Sequence, residues 1–178
     1  MRCVSARRIA LGLVVLAWGA VPSASAQTKE KVVYFQDAIA EKGDRNHIIR
    51  LNGGSSWVLA EPTHALLGTD VLVVTRDVMV NGQPLKAAWF YVGGEEIPAK
   101  HVEGLYPMNA AFLTRVVGVE EQGTKLRLAD GTQLLVSRSN KYNVSRWTPP
   151  YKALLTGNSV YLYNLKNGTQ VSVQVPKQ

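Results

Sequence analysis

The chain has 178 residues, 46% of them hydrophobic, and a formal net charge of +7. Its one cysteine is Cys3, so the body of the chain has no thiol for a disulfide, a thiolate metal site or a cysteine nucleophile. The stretch from Gln27 onward is long enough to remove roughly 70% of its unfolded surface from water, whereas half of it would be marginal alone.

In chain order, Arg2, Arg7 and Arg8 precede an apolar run from Ile9 to Val21, and Ala24-Ser25-Ala26 offers a small-residue cleavage site. Residues 1–26 are therefore expected to be a signal peptide that takes Cys3 with it, and the mature chain to be periplasmic or secreted. The apolar run is too short to cross a bilayer comfortably, and no second run of transmembrane length follows. Stability must then come from burial alone.

Val32 to Ile39 reads as a first strand, Glu41 to Asn46 as a polar turn, and Ile49 to Leu59, IRLNGGSSWVL, as a strand, a glycine turn and a second strand. The same pattern returns 77 positions later as LRLADGTQLLV, from Leu126 to Val136, preceded by a strand over Thr114 to Val119 and a turn over Glu120 to Thr124. Repetition at a fixed offset points to two copies of one unit. Further on, Leu67 to Val74 resembles Leu155 to Tyr163, and Asn81-Gly82 resembles Asn167-Gly168, the dipeptide that a type I′ turn favours. Each copy is expected to be a five-stranded meander. Gly93 to Met108 finds no counterpart and reads as a hairpin turn, one short strand near Ile97 and a connection to the second copy. Helix is nearly absent, so the expected class is all-β: two tandem five-stranded repeats over 27–108 and 109–178 packed together, or else one continuous barrel or sandwich.

The motif LxLxDGSxWxV followed by a GDxVxV strand resembles small SH3-like β-barrel modules of bacterial exported proteins. The second copy keeps Leu126, Leu128, Asp130, Gly131 and Thr132 with Leu134 in the Trp place; the first keeps Ile49, Leu51, Gly54, Ser55 and Trp57 with Gly53 in the Asp place. The resemblance implies a barrel and a binding role, and transfers no binding residue.

Charge divides the chain. From 27 to 108 eight Lys or Arg face ten acids, and from 109 to 178 nine face three, with no acid after Asp130. The second copy should carry a positive field toward an anionic partner, unless the basic half docks on the acidic half. The segment Arg138 to Tyr151, RSNKYNVSRWTPPY, interleaves cations with aromatic rings. It makes Arg138, Lys141, Tyr142, Arg146, Trp147 and Tyr151 the candidate ligand-binding residues, since rings stack on sugars while Arg and Lys pair with phosphates or carboxylates. The alternative for Trp147 is that it folds back to fill the barrel that has Leu134 in the Trp place. The expected partner is an anionic envelope polymer or a protein, with nucleic acid not expected.

Catalytic chemistry has thin support. His47, His64 and His101 show no metal-ligand spacing, there is no GxSxG elbow, and no cofactor is expected. A small envelope hydrolase using His64, Asp70 and a serine of the first hairpin is the alternative from another class. A third reading is an inhibitor or accessory subunit that inserts Gly93 to Met108 into an enzyme cleft.

Overall fold

The computed structural model describes residues 29–156 and 160–176, so the expected signal peptide over 1–26 lies outside the described residues. Twelve antiparallel strands form one hydrogen-bonded system: β1 (Glu30–Gly43), β2 (Ile48–Leu51), β3 (Ser56–Leu59), β4 (Asp70–Val80), β5 (Gln83–Val92), β6 (Glu95–Glu103), β7 (Asn109–Glu120), β8 (Lys125–Leu128), β9 (Gln133–Val136), β10 (Tyr151–Thr156), β11 (Tyr161–Asn164) and β12 (Thr169–Gln174). Strands β1 to β6 close in the order 1-2-3-6-5-4, because β4 returns to pair with β1. Strands β7 to β12 close in the same order, with β10 returning to β7. Closure removes the free edges that a meander would leave open.

The local structure follows from the sequence in the two hairpins. Leu51 N–H donates to the Ser55 carbonyl and Gly54 N–H to the Leu51 carbonyl; 77 positions later Leu128 N–H donates to Thr132 and Gly131 N–H to Leu128. Gly54 and Gly131 hold φ near +89° and +85°, which a side chain would disfavour. The register also shifts at the same place in β1, between Ile39 and Glu41, as in β7, between Val116 and Gly118.

Each ring has six strands rather than the expected five, and the order is not that of a meander. Val73 pairs with Phe35 and Leu155 with Phe112, and the two phenylalanines are 77 positions apart. Leu155 thus stands where Val73 stands rather than where Leu67 does, and the run 155–163, matched to a turn feeding one strand, holds the end of β10 and then β11. The short strand expected near Ile97 is β6, nine residues long and bonded to β3 and β5 as a full member of the ring, and β12 takes the equivalent place between β9 and β11, so the segment is not an unmatched connection. Asn81-Gly82 closes β4 on β5, whereas Asn167-Gly168 lies between β11 and β12, so the two turns are not equivalent.

Both rings fill with alternate side chains of their strands. In the first, Trp57 is 1% exposed and its ring lies 5.9 Å from Phe35, 5.4 Å from Phe90 and 5.2 Å from Tyr106, while its indole N–H donates to Ser55 Oγ at 3.0 Å. In the second, Leu126, Leu128, Leu134 and Val116 are buried together with Trp147 and Tyr151. The rings are joined twice. β1 pairs with β7, placing Val33 opposite Ala110, residues 77 positions apart, which is the contact that a two-fold axis through that pair would generate. A third apolar cluster, including Val32, Leu72, Val74, Tyr91, Leu154 and Leu165, fills the space between the rings.

A polar tie supplements this packing. Lys29 Nζ lies 3.1 Å from Asp130 and donates to Thr132 Oγ1 at 3.0 Å. Burial pushes the Asp130 carboxyl up, but the Thr132 N–H and hydroxyl and the Lys29 ammonium outweigh it and hold the group below its ordinary value. A lowered folded pKa gives stability that is present above the unfolded value, about 4, and is lost as pH falls through the folded one. Asp130→Asn is therefore expected to flatten the acid limb of a Tm-against-pH curve below about pH 4; an unchanged limb would show that other carboxylates account for it.

Candidate basic surface and inter-ring groove

The segment following β9 is short-helical: a 3₁₀ turn over Arg138–Asn140 runs into α1 (Lys141–Val144), and Pro149-Pro150 leads into β10. It divides the six candidate residues. Trp147 is 7% exposed and Tyr151 4%, their rings meet edge to face at 5.4 Å, and Val144 is buried with them in the second ring's core. Their place as rings offered to a ligand is thus corrected: the second ring has Leu134 where the first has Trp57, and aromatic volume enters from the loop instead. Tyr142 remains 65% exposed, with the Arg146 guanidinium 3.9 Å from its ring centroid. Arg138 is exposed and Lys141 half-buried, so four of the six candidates form a solvent-facing cationic and aromatic patch.

The second feature lies between the rings, where a groove of about 340 Å3 is walled by Tyr91 and Glu96 from the first ring and by Arg115, Tyr151, Lys152 and Lys166 from the second. Arg115 and Lys152 are directly opposite on β7 and β10, as are Val116 and Tyr151 one position along. Since Val116 and Tyr151 point into the ring, the two cations project from its outer face. Glu96 accepts from Lys152 Nζ through both oxygens, at 2.8 and 2.6 Å. Burial, and then the Glu96 carboxylate beside it, push the Tyr91 phenol well above its ordinary value, so Tyr91 stays a neutral hydroxyl. The Tyr151 hydroxyl is also pushed up by burial and is buried with no protein hydrogen-bond partner. Close approach of the rings at the groove depends on Gly94, whose φ is +87° and where a Cβ would sit 2.8 Å from the Lys166 carbonyl oxygen.

No family model, curated protein or solved structure matches this chain. Its own residues must carry the reading. Among the described residues, no group of three or more metal-ligating side chains comes together, and no helix is long and apolar enough to cross a membrane. Ser55 Oγ accepts from Trp57, and Ser56 Oγ faces Glu103 Oε1 at 3.3 Å. His64 and Asp70 are both exposed, and His47 Nδ1 meets the Leu59 carbonyl at 3.1 Å. Of the segment read as an inserting loop, Glu95–Glu103 is a ring strand, and Tyr106 stacks on Phe35 at 4.9 Å, leaving Leu105 and Met108 exposed. Sequence reasoning passed over Glu96, Arg115 and Lys166 as binding residues because no local pattern links them.

Proposed function

We propose that the chain is an exported, non-enzymatic binding protein built from two copies of one unit, in which the basic second copy holds an anionic envelope polymer or an acidic protein partner. The observation that supports this is where the charges go. If the basic half served only to dock on the acidic half, its cations would meet the first ring's carboxylates. Among the described residues only Lys152 does so within 4 Å, on Glu96, while Lys125 and Arg127 pair within their own ring. Arg115, Arg138, Lys141, Arg146 and Lys166 have no carboxylate within that distance among the described residues. A cluster of unneutralised cations raises the local concentration of anionic partners and speeds their encounter, with an effect that salt screens.

The test is binding of the mature chain to lipopolysaccharide, peptidoglycan and a neutral polysaccharide at low and moderate salt. Binding to an anionic polymer is expected to weaken with salt. The triple variant Arg138→Ala, Lys141→Ala, Arg146→Ala is expected to bind roughly tenfold more weakly, about 1.4 kcal/mol, with little change in Tm because exposed charges contribute little to stability. Salt-independent binding, or equal binding to the neutral polymer, would overturn the reading. Absence of binding to every polymer, followed by co-purification of an acidic protein, would select the protein partner.

A further inference from the structure

Glu96 is the one acid among the residues that line the groove, against three cations, Arg115, Lys152 and Lys166. Arg115 and Lys152 are like charges in directly opposite positions, an arrangement that raises the energy of the empty groove. Lys166 joins them from the turn after β11, where Leu165 N–H donates to the Lys152 carbonyl at 3.1 Å. Of the three cations Glu96 pairs with Lys152 alone, both of its oxygens on a single ammonium and the Tyr91 hydroxyl beside it. A carboxylate has lone pairs for several donors, so this is an incomplete use of three cations by one anion.

We infer that the groove is a binding site for a compact oxyanion, a carboxylate or phosphate on a sugar-sized unit, and that Glu96 occupies Lys152 in place of that group until the ligand displaces it. The inference rests on the anion-binding reading above. The groove's volume of about 340 Å3 suits one such unit, and Tyr91 and Pro150 supply mostly apolar walls beside the charges. The incoming oxyanion takes Lys152 from Glu96 and gains Arg115 and Lys166, which Glu96 does not reach with an ion pair. Glu96 then turns toward solvent. The exchange sets a selectivity: a monoanion replaces one carboxylate by another, whereas a dianion brings a second charge to the remaining cations. Phosphate monoesters should therefore be preferred over carboxylates.

The experiment titrates the mature protein with glucose 1-phosphate and with glucuronate, following amide shifts and binding heat, for the wild type and for Glu96→Gln, Arg115→Ala and the double variant. Glu96→Gln is expected to bind both probes about three- to tenfold more tightly, because the internal competitor is gone. Arg115→Ala is expected to bind them more weakly by a similar factor, and the double variant to return near the wild type. Glucose 1-phosphate should bind more tightly than glucuronate to the wild type. Unchanged or weakened binding in Glu96→Gln, with the wild type binding, would overturn the exchange while leaving the anion-binding reading intact. If Glu96→Gln loses thermal stability, the wild-type preference for glucose 1-phosphate decides instead: a preference for glucuronate would overturn the inference. Absence of binding by any variant, with intact binding to a whole anionic polymer, would place the site on α1 and remove the groove from it.

Discussion

Replacing Trp147 by Ala is expected to cost the protein about 3–5 kcal/mol of stability, as truncating a buried aromatic side chain commonly does. The reason lies in how the second ring is filled. Position 134 holds Leu where the first ring has Trp57, a residue with four ring neighbours. An aliphatic side chain there leaves volume near the end of the ring, and Trp147 and Tyr151 supply it from the loop, packed edge to face. Deleting the indole opens a cavity that Leu134, Val144 and Tyr151 border within the same buried cluster, and neighbours anchored on bonded strands can close it only in part. Tyr142→Ala and Arg146→Ala make the contrast: they break an exposed cation–π contact worth about 0.5–1 kcal/mol. Urea unfolding followed by circular dichroism measures all three. A Trp147→Ala midpoint equal to that of the wild type would show that the indole is not part of the core.

How much of this was legible in the sequence depends on the range over which each feature is written. The hairpins of 49–59 and 126–136 are local: alternation places Ile49, Leu51, Leu126 and Leu128 inward, and a glycine supplies the positive φ of each turn. All four are buried, and the backbone bonds of both hairpins match at the 77-residue spacing. The strand count was not legible, for two reasons. A short strand is expected near Ile97, but β6 leaves most of its side chains half or fully exposed, so no apolar alternation shows its length, and its place in the ring is set by pairing with β3 and β5. The run 155–163 reads as a Gly-containing turn feeding one strand, yet Leu155 belongs to β10 and Tyr161 begins β11. Ring closure, likewise, depends on β4 returning to β1, a contact between residues 42 positions apart at the Val33 to Thr75 pair. The groove is less legible still. Glu96, Arg115, Lys152 and Lys166 come from β6, β7, β10 and the turn after β11, and only the packing of one ring on the other brings them together. The patch around α1 was legible as composition, since Arg138, Lys141 and Arg146 fall in one short segment; what composition could not show is which rings turn inward.

Gly123→Ala is expected to be the second severe change, and to strike stability and anion binding together. Residues Glu121, Gln122 and Gly123 all have positive φ, as do Asp44, Arg45 and Asn46 at the equivalent turn of the first ring. The left-handed conformation costs a residue with a side chain roughly 1–2 kcal/mol, yet the first ring accepts Asn46 at φ +68° where the second has glycine at +90°. Conformation alone therefore does not require Gly123. What requires it is α1: an added Cβ would stand 2.5 Å from the Lys141 carbonyl oxygen and 2.8 Å from the Ser145 nitrogen. Those are backbone atoms, which yield only if the helix moves. The first ring has no helix in its corresponding connection, residues 60–69. A methyl group at 123 must push α1 outward, and α1 carries Val144 into the core and Lys141 and Tyr142 onto the surface, with Arg146 and Trp147 just beyond. The expected loss is about 3 kcal/mol or more, strain and displaced packing together, with weakened polymer binding in the fraction that remains folded. Asn46→Ala, which meets no such helix, should cost about 1 kcal/mol at most and leave binding unchanged. If the two variants proved equally mild, the helix would be yielding freely, and its cations would then be held too loosely to act as a formed site.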